Sequence, residues 1–250
     1  MDQLLVALDV DTAAEAHALA EALRGTVGGF KIGSRLFTSH GPSVVQALVE
    51  KGDRVFLDLK FHDIPNTVAG AVAVATRLGV WMLNVHASGG AAMMRAARQA
   101  AHDEAARCSR PAPLVIAVTM LTSHDDQTLA EIGIRRRMPD EVGLLATLAR
   151  DAGLDGVVAS PHEIAVIRER CGSEFVIVTP GIRGGEPSSA PCTTAKAIGG
   201  ADDQRRTMSA AQAIVAGASY LVVGRPIIGA DGPRAAAERL AAECRAVLAS

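Results

Sequence analysis

Short segments rich in Val, Leu and Ile recur along the chain, and Ala-rich stretches of helical character follow them. This alternation is typical of repeated βα units and predicts a parallel sheet covered by helices. The apolar segments predict eight strands, at Leu4–Asp9, Phe30–Ile32, Arg54–Lys60, Trp81–Val85, Leu114–Val118, Gly156–Val158, Phe175–Val178 and Tyr220–Val223. Among the intervening segments, helical periodicity predicts helices at Ala13–Leu23, Ser43–Glu50, Ala91–Ala106, Asp140–Ala152 and Pro233–Leu248.

Eight βα units in 250 residues favour a closed barrel over an open sheet, because a (β/α)8 TIM barrel has about this length. The strands are continuous apolar runs, as expected when helices cover one face of the sheet and a packed interior covers the other. Length alone also admits two smaller domains, but the chain has no interdomain linker. We therefore expect a single α/β barrel domain over residues 1–250, with its active site at the carboxyl ends of the strands.

Composition limits the partners and the compartment. A net charge of −2 and a pI near 6.4 provide no basic field for nucleic acid, so anion binding has to be local. No segment approaches the roughly 18 uninterrupted apolar residues of a membrane span, and the N-terminus lacks the pattern of a signal peptide. The cysteines form no CxxC pair, which indicates neither a disulfide framework nor a zinc site and suits the cytoplasm; they are Cys108, Cys171, Cys192 and Cys244.

The segment Asp58–Thr67 is the most informative for chemistry, because charge appears there at the carboxyl end of an apolar strand. Residues two apart on a strand share a face, so Asp58 and Lys60 are expected to project together. Asp63 follows in the loop that leaves the strand. An isolated pair of this kind is equally consistent with an ion pair that plugs the end of the barrel.

The first two strands add charge to the same rim. Asp9 is expected to end strand one and Lys31 to end strand two, and catalytic groups of barrel enzymes cluster at that rim. Helix capping is an alternative role for Asp9, although Asp11 and Thr12 are better placed for it. An exposed loop position is the alternative for Lys31. The coincidence of these charges with Asp58 and Lys60 favours a functional cluster.

The other side of the rim carries glycine and arginine. Strand seven runs into Thr179–Arg183 and strand eight into Gly224-Arg225-Pro226. Barrels often hold a phosphate between these two loops, with backbone N–H groups and a cation as ligands. The alternative is a pair of ordinary turns with surface arginines. The Gly, Ser and Pro-rich connection over residues 184–203 is about twenty residues long, which indicates either a functional lid or a disordered insertion. Its position after strand seven favours an active-site lid.

These features together resemble the orotidine 5'-phosphate decarboxylase family. The resemblance runs from Asp9 to Arg225 and is carried by Asp9, Lys31, Asp58–Thr67, Leu121-Thr122-Ser123, Thr179–Arg183, Asp202–Arg206 and Val223–Pro226. The motif Asp58-x-Lys60-x-x-Asp63 alone is also similar to related sugar-phosphate decarboxylases. Its continuation as Ile64-Pro65-Asn66-Thr67 favours the narrower family. One departure is the span from Arg183 to Gln204, which is longer than the family's pattern.

The resemblance implies decarboxylation of orotidine 5'-phosphate to uridine 5'-phosphate in de novo pyrimidine biosynthesis, without metal or cofactor. It implies an alternating network of Lys31, Asp58, Lys60 and Asp63, in which Lys60 is the general acid that protonates C6 and Asp58 positions it. Asp63 would reach the neighbouring subunit's site, so the resemblance also implies an obligate homodimer with shared active sites.

The implied substrate contacts surround this network. Asp9 and Lys31 would bind ribose hydroxyls, with Thr67 contributed by the partner chain, and Thr122 would hydrogen-bond the pyrimidine edge. Gln204 would bridge phosphate and base. The remaining phosphate ligands would be Arg183, Gly224 and Arg225.

Two other functions are compatible with the same scaffold. A metal-dependent decarboxylase or aldolase of a keto-sugar phosphate would use the acidic pair to hold magnesium, but Ile64–Thr67 and the Gln204 region argue against it. A non-catalytic sensor would keep only the phosphate site, and the complete set of Asp58, Lys60 and Asp63 argues against that. His86, at the end of strand four, is interpreted as a structural histidine.

Overall fold

The computed structural model describes residues 1–183 and 207–248. Its strands are β1 (Leu4–Ala7), β2 (Gly29–Gly33), β3 (Val55–Phe61), β4 (Met82–His86), β5 (Leu114–Val118), β6 (Gly156–Val158), β7 (Val176–Thr179), β8 (Ile182–Arg183), β9 (Met208–Ser209) and β10 (Tyr220–Val223). Within the described residues, eight of them form a closed parallel barrel in the order β1-β10-β7-β6-β5-β4-β3-β2. The predicted (β/α)8 architecture is confirmed.

Helices surround the barrel and connect its strands. In chain order they are α1 (Ala13–Leu23), α2 (Ser34–His40), α3 (Ser43–Glu50), α4 (Pro65–Arg77), α5 (Gly90–Arg107), α6 (Asp126–Glu131), α7 (Met138–Asp151), α8 (Ile164–Cys171), α9 (Ala210–Val215), α10 (Arg225–Ile228) and α11 (Pro233–Leu248). None of the helices in the described part of the chain is long and apolar enough to cross a bilayer. All five helices expected from the sequence are present, with ends that agree within two residues.

The barrel closes between its first and last strands. β1 pairs with β2 on one side, where Leu5 is opposite Gly29, and with β10 on the other side, where Leu4 is opposite Leu221. Outside the ring, β8 and β9 form a separate two-stranded parallel pair. The expected lid at residues 184–203 lies outside the described residues, between these two short strands.

Two apolar layers explain why the strands show no alternation of polarity. Side chains that point into the barrel pack together and include Leu5, Ala7, Phe56, Met82, Ile116, Val178 and Val222. The alternate residues of the same strands face the helices and belong to a larger cluster that includes Leu4, Val6, Leu57 and Leu83. Each strand is therefore buried on both faces, as the continuous apolar runs predicted.

The strand ends differ from two of the expectations. Asp9 does not end β1, because β1 stops at Ala7 and Asp9 lies two residues further, on the rim. Lys31 does not end β2 but is its central residue, and it pairs in register with Ala7 of β1 and with Phe56 of β3. The hydrogen-bonded ladder of β2 continues past Lys31 to Gly33. A polar residue therefore did not mark the end of this strand.

Capping of α1 is provided by Thr12, as the sequence indicated. The Thr12 hydroxyl accepts a hydrogen bond from the Glu15 backbone N–H, and the Glu15 carboxylate accepts one from the Thr12 N–H. This reciprocal pair satisfies two N–H groups at the start of the helix. Asp9 therefore has no capping role there and lies at the barrel mouth.

Candidate active site at the barrel mouth

A cavity of about 820 Å³ opens at the carboxyl ends of the strands. Its floor is apolar, and its lower wall carries four charged side chains. The floor includes Ala7, Phe56, Val118, Val158 and Val222, and the charged residues are Asp9, Lys31, Asp58 and Lys60. Apolar walls with a few convergent polar groups are the usual composition of a small-molecule site.

The four charged side chains form one alternating chain of ion pairs. Lys31 Nζ lies 3.0 Å from Asp9 Oδ1 and 3.5 Å from Asp58 Oδ2. Lys60 Nζ lies 2.7 Å from Asp58 Oδ1. The structure therefore brings together these four residues, which sequence analysis had placed on one rim.

Exposure increases from the middle of this chain towards its two ends. The Lys31 and Asp58 side chains are only 10% and 12% exposed, whereas those of Lys60 and Asp9 are 35% and 54% exposed. Burial favours the protonated form of Asp58, but the charges of Lys31 and Lys60 and two hydrogen bonds outweigh that effect and hold its pKa below its ordinary value. Asp58 is therefore an ionised carboxylate between two cations at neutral pH.

The backbone that presents Asp58 and Lys60 is not a regular strand. Lys60 has φ of 54°, in the left-handed region that side chains rarely adopt. The β3–β4 register also shifts between Leu57 and Phe61. Alternation along a regular strand is therefore not what aims the two side chains together, and the expectation was right about their proximity but wrong about its cause.

Two residues of this site were missed by the sequence analysis. Asn84 is fully buried on β4, where its Nδ2 donates to Asp58 Oδ1 (2.6 Å) and its Oδ1 accepts from the Lys60 backbone N–H (2.8 Å). Gly33 ends β2, and a side chain there would place its Cβ only 3.0 Å from Lys31 Nζ. A polar amide inside an apolar strand and a glycine at a strand end are the sequence signals that could have identified them.

Three of the five residues expected to bind base and phosphate line this cavity. Thr122 lines the cavity in the loop after β5, together with Leu121 and Ser123. Gly224 and Arg225 line it in the loop after β10. Arg183 belongs to β8, which pairs with β9 beside the barrel, and Gln204 lies outside the described residues.

Asp63 and Thr67 are located differently from the other predicted site residues. Neither lines the cavity, and both are exposed near the start of α4. Asp63 Oδ1 accepts a hydrogen bond of 2.6 Å from the next backbone N–H, that of Ile64. Ile64 itself is 67% exposed.

His86 borders the charged chain and stacks near a second histidine. Its ring centroid lies 5.4 Å from that of His62, with the planes tilted by 38°. Burial lowers the pKa of His86, and the nearby charges of His62 and Lys60 lower it further. His86 is therefore biased towards its neutral form, which agrees with a structural role.

The donor set at this site favours anion and hydroxyl recognition. Two ammonium groups and the exposed Arg225 face one cavity, next to the carboxylates of Asp9 and Asp58. In the described ranges 1–183 and 207–248, no group of three or more His, Cys, Asp or Glu side chains is arranged to hold a metal ion. The arrangement can bind an anionic substrate and deliver a proton from a lysine to it.

Comparison with known proteins identifies one group of relatives. Residues 2–240 match the family described as "Orotidine 5'-phosphate decarboxylase / HUMPS family". A relative from Moorella thermoacetica, named orotidine 5'-phosphate decarboxylase, is 53% identical over 98% of this chain and 93% of its own length. One of the same name from Alkalilimnicola ehrlichii is 52% identical over 98% and 97%. The crystal structure of orotidine 5'-phosphate decarboxylase from Lactobacillus acidophilus superposes with a TM-score of 0.80 at 34% identity, covering 98% of this chain and 99% of that one.

Proposed function

The chain belongs to the orotidine 5'-phosphate decarboxylase / HUMPS family, and from this membership we propose that it converts orotidine 5'-phosphate to uridine 5'-phosphate and carbon dioxide, with Lys60 as the general acid. The observation that carries the proposal is the alternating chain of Asp9, Lys31, Asp58 and Lys60 on the wall of a cavity of nucleotide size. The reaction belongs to de novo pyrimidine biosynthesis.

Lys60 performs the chemical step in this proposal. As the bond between C6 and the carboxylate breaks, carbon dioxide leaves and the electron pair remains on C6. The Lys60 ammonium stabilises that charge and transfers a proton to C6, and the neutral amine then recovers a proton from solvent. The step needs no metal or cofactor, because the proton and the compensating charge come from the same side chain.

Asp58 and Lys31 prepare Lys60 for this step. Asp58 is held ionised by the two lysines, and its Oδ1 bonds Lys60 Nζ at 2.7 Å, which fixes the ammonium group at the cavity wall. The outer pair, Lys31 and Asp9, offers a donor and an acceptor 3.0 Å apart. Such a pair suits ribose hydroxyls, which donate and accept at the same time.

Binding of the base and the phosphate falls to residues outside the charged chain. We assign the pyrimidine edge to Thr122 and the phosphate to Gly224 and Arg225, with Arg183 and Gln204 completing the phosphate end. Guanidinium groups make strong paired hydrogen bonds to phosphate oxygens. Energy from this remote contact can close a lid over residues 184–203 and so lower the barrier at C6.

A homodimer with shared sites accounts for Asp63 and Thr67. Both are exposed and lie outside the cavity of their own chain, next to the exposed apolar Ile64. A partner that covers this surface would bury Ile64 and receive Asp63 and Thr67 in its own cavity. One barrel domain over residues 1–250 would then contribute groups to two sites.

A reducing compartment suits the cysteines of the described residues. Cys108, Cys171 and Cys244 are free thiols. We therefore assign the enzyme to the cytoplasm, where thiols stay reduced.

The test is the absorbance change of orotidine 5'-phosphate on addition of protein that has been treated with EDTA and dialysed. We expect conversion to uridine 5'-phosphate by the wild type. Lys60→Ala should lower kcat by about 10²-fold or more, because the proton donor is lost. Arg225→Ala should raise KM by roughly 10–150-fold, because charged hydrogen bonds contribute about 1.5–3 kcal/mol.

The alternative outcomes separate the competing functions. Absence of orotidine 5'-phosphate conversion by folded wild-type protein, together with magnesium-dependent turnover of a keto-sugar phosphate, would transfer the assignment to a metal-dependent enzyme of sugar phosphates. Absence of turnover by folded wild-type protein under both conditions, with tight nucleotide binding, would indicate a sensor. Near-normal kcat in Lys60→Ala would refute the role of Lys60.

A further inference from the structure

The ladder between β3 and β4 is interrupted beside the charged cluster. Leu57 is opposite Leu83 and Phe61 is opposite Val85. The three residues between Leu57 and Phe61 on β3 therefore face a single residue on β4. That single residue is Asn84. The extra residues on β3 bulge away from the regular ladder, which is how strands at active sites re-aim side chains.

The Asn84 side chain replaces the missing ladder contacts. Its Oδ1 accepts the hydrogen bond that the Lys60 backbone N–H cannot make to a strand carbonyl, at 2.8 Å. Its Nδ2 donates to Asp58 Oδ1 at 2.6 Å, the same oxygen that bonds Lys60 Nζ. One amide thus holds the backbone of Lys60 and the side chain of Asp58 at once.

Burial makes these two contacts specific. Asn84 is completely buried, so water does not compete for its amide group. The amide presents an acceptor to the Lys60 N–H and a donor to the ionised Asp58, and neither a carboxylate nor an apolar side chain can do both. The contact to Lys60 also supports a backbone conformation, with φ of 54°, that a lysine adopts only where its surroundings enforce it.

We propose that Asn84 is a positioning residue for the decarboxylation: it fixes Asp58 and the strained backbone of Lys60 so that the ammonium group is held at the reacting carbon. This inference rests on the proposed function. In the proposed function, Asn84 contacts neither the phosphate nor the ribose of the substrate. Removal of the Asn84 amide should therefore slow the chemical step and leave nucleotide binding unchanged.

The test compares two variants with a matched control. Asn84→Leu keeps the volume and removes both hydrogen bonds, whereas Asn84→Asp keeps the acceptor and restores the donor only when its carboxyl group is protonated. The control, Thr119→Val, removes a different buried hydrogen bond of the barrel, from the Thr119 hydroxyl to the Val158 carbonyl at 3.0 Å. For each protein we would measure kcat, KM, uridine 5'-phosphate affinity, melting temperature and amide exchange of the peptide that contains Lys60.

We expect Asn84→Leu to lower kcat by about 10²-fold, the usual effect of misplacing a reacting group by about 1 Å, with KM and uridine 5'-phosphate affinity within roughly threefold of wild type. The Lys60 peptide should exchange faster in this variant only. In Asn84→Asp, kcat relative to wild type should rise as the pH falls, because the protonated carboxyl group donates to Asp58 while the ionised form repels it.

Other outcomes would overturn the proposal. One is a kcat for Asn84→Leu within about threefold of the wild-type value. Another is a parallel loss of kcat, nucleotide affinity and melting temperature in Asn84→Leu, with the same losses in Thr119→Val. Unchanged exchange of the Lys60 peptide would also overturn it, and that measurement needs no turnover. Failure of the proposed function is recognised separately, because wild-type protein would then not release carbon dioxide from orotidine 5'-phosphate.

Discussion

Asp58 is the residue on which the charged cluster depends, because each of its oxygens faces a different cation. Oδ1 bonds Lys60 and Asn84, and Oδ2 faces Lys31. Removal of a buried partner from such a group leaves uncompensated charge and is strongly destabilising. Substitution of Asp58 would therefore remove a counter-charge from both lysines.

His86, which adjoins this network, should make stability depend on pH. Its folded pKa is lowered by burial and by neighbouring positive charge, whereas an unfolded histidine titrates near about 6.5. Below that pH the unfolded chain binds more protons at His86 than the folded chain does. The contribution of His86 to the free energy of unfolding is therefore fully present above about pH 6.5 and is lost as the pH falls through the folded pKa.

We expect the free energy of unfolding of the wild type to fall more between pH 8 and pH 5 than that of His86→Gln. Urea denaturation at several pH values measures this difference, with equal urea dependence at pH 8 as the check that the variant folds to the same state. An identical pH dependence of the two proteins would show that His86 titrates alike in both states.

At this scale the sequence predicted the charged residues well and the neutral ones poorly. Asp9, Lys31, Asp58 and Lys60 were recognisable because charge is rare within or directly after a buried strand. Asn84 and Gly33 carry no charge, and their importance depends on a bulge and a close approach that only three-dimensional register reveals. The roles of the predicted substrate contacts stay predictions.

Among the elements, α8 is tied to the barrel by one side chain. Arg168 in its last turn donates hydrogen bonds of 2.6–3.1 Å to carbonyl groups and a hydroxyl in two separate loops, with partners Gly172, Ser173, Phe175, Gly217 and Ser219. The planar guanidinium reaches all of them at once. An ammonium group cannot reproduce this geometry.

Arg168→Lys should therefore destabilise the fold by about 2–4 kcal/mol, since hydrogen bonds to charged groups contribute about 1.5–3 kcal/mol each and are not additive. Arg234→Lys is the matched control, because Arg234 is exposed and pairs with Glu238 one turn away; it should change stability by less than about 0.5 kcal/mol. Urea denaturation checks both, and equal midpoints for the two variants would contradict the role of Arg168.

The elements also show where periodicity is insufficient. α4 (Pro65–Arg77) follows strand three, as the eight predicted βα units require, but its bounds were not predicted, and Val, Thr and Gly within it lower helix propensity. Its buried residues nevertheless recur at helical spacing, at Val68, Val72, Ala75 and Thr76, and it packs extensively against α5. Packing against a neighbour outweighed local propensity here.

For the whole molecule, the shared site is the main prediction. Lys60→Ala and Asp63→Ala chains should each be inactive alone, because each lacks one component of every site. After subunit exchange, a mixed dimer contains one complete site, so random mixing should restore roughly a quarter of wild-type activity. Turnover measured across mixing ratios checks this. Absence of rescue despite proven exchange would count against a contribution of Asp63 to its partner.

Assembly is the level at which a single sequence predicts least. The closed barrel followed from the number and length of its βα units, since closure satisfies the strand edges within one chain. The placement of Asp63 relative to Lys60 of another chain follows from no periodicity in the sequence. In the proposed dimer it would depend on a surface that buries Ile64, which only the assembled dimer would display.

The pairing of β1 with β10 has a consequence for the order of events during synthesis. Leu4 is synthesised more than two hundred residues before its partner Leu221. Until then one edge of β1 has no partner strand. The barrel therefore cannot close before β10 has been synthesised. A chain stalled before Leu221 would expose an apolar strand edge, and such an edge is prone to pair with other nascent chains.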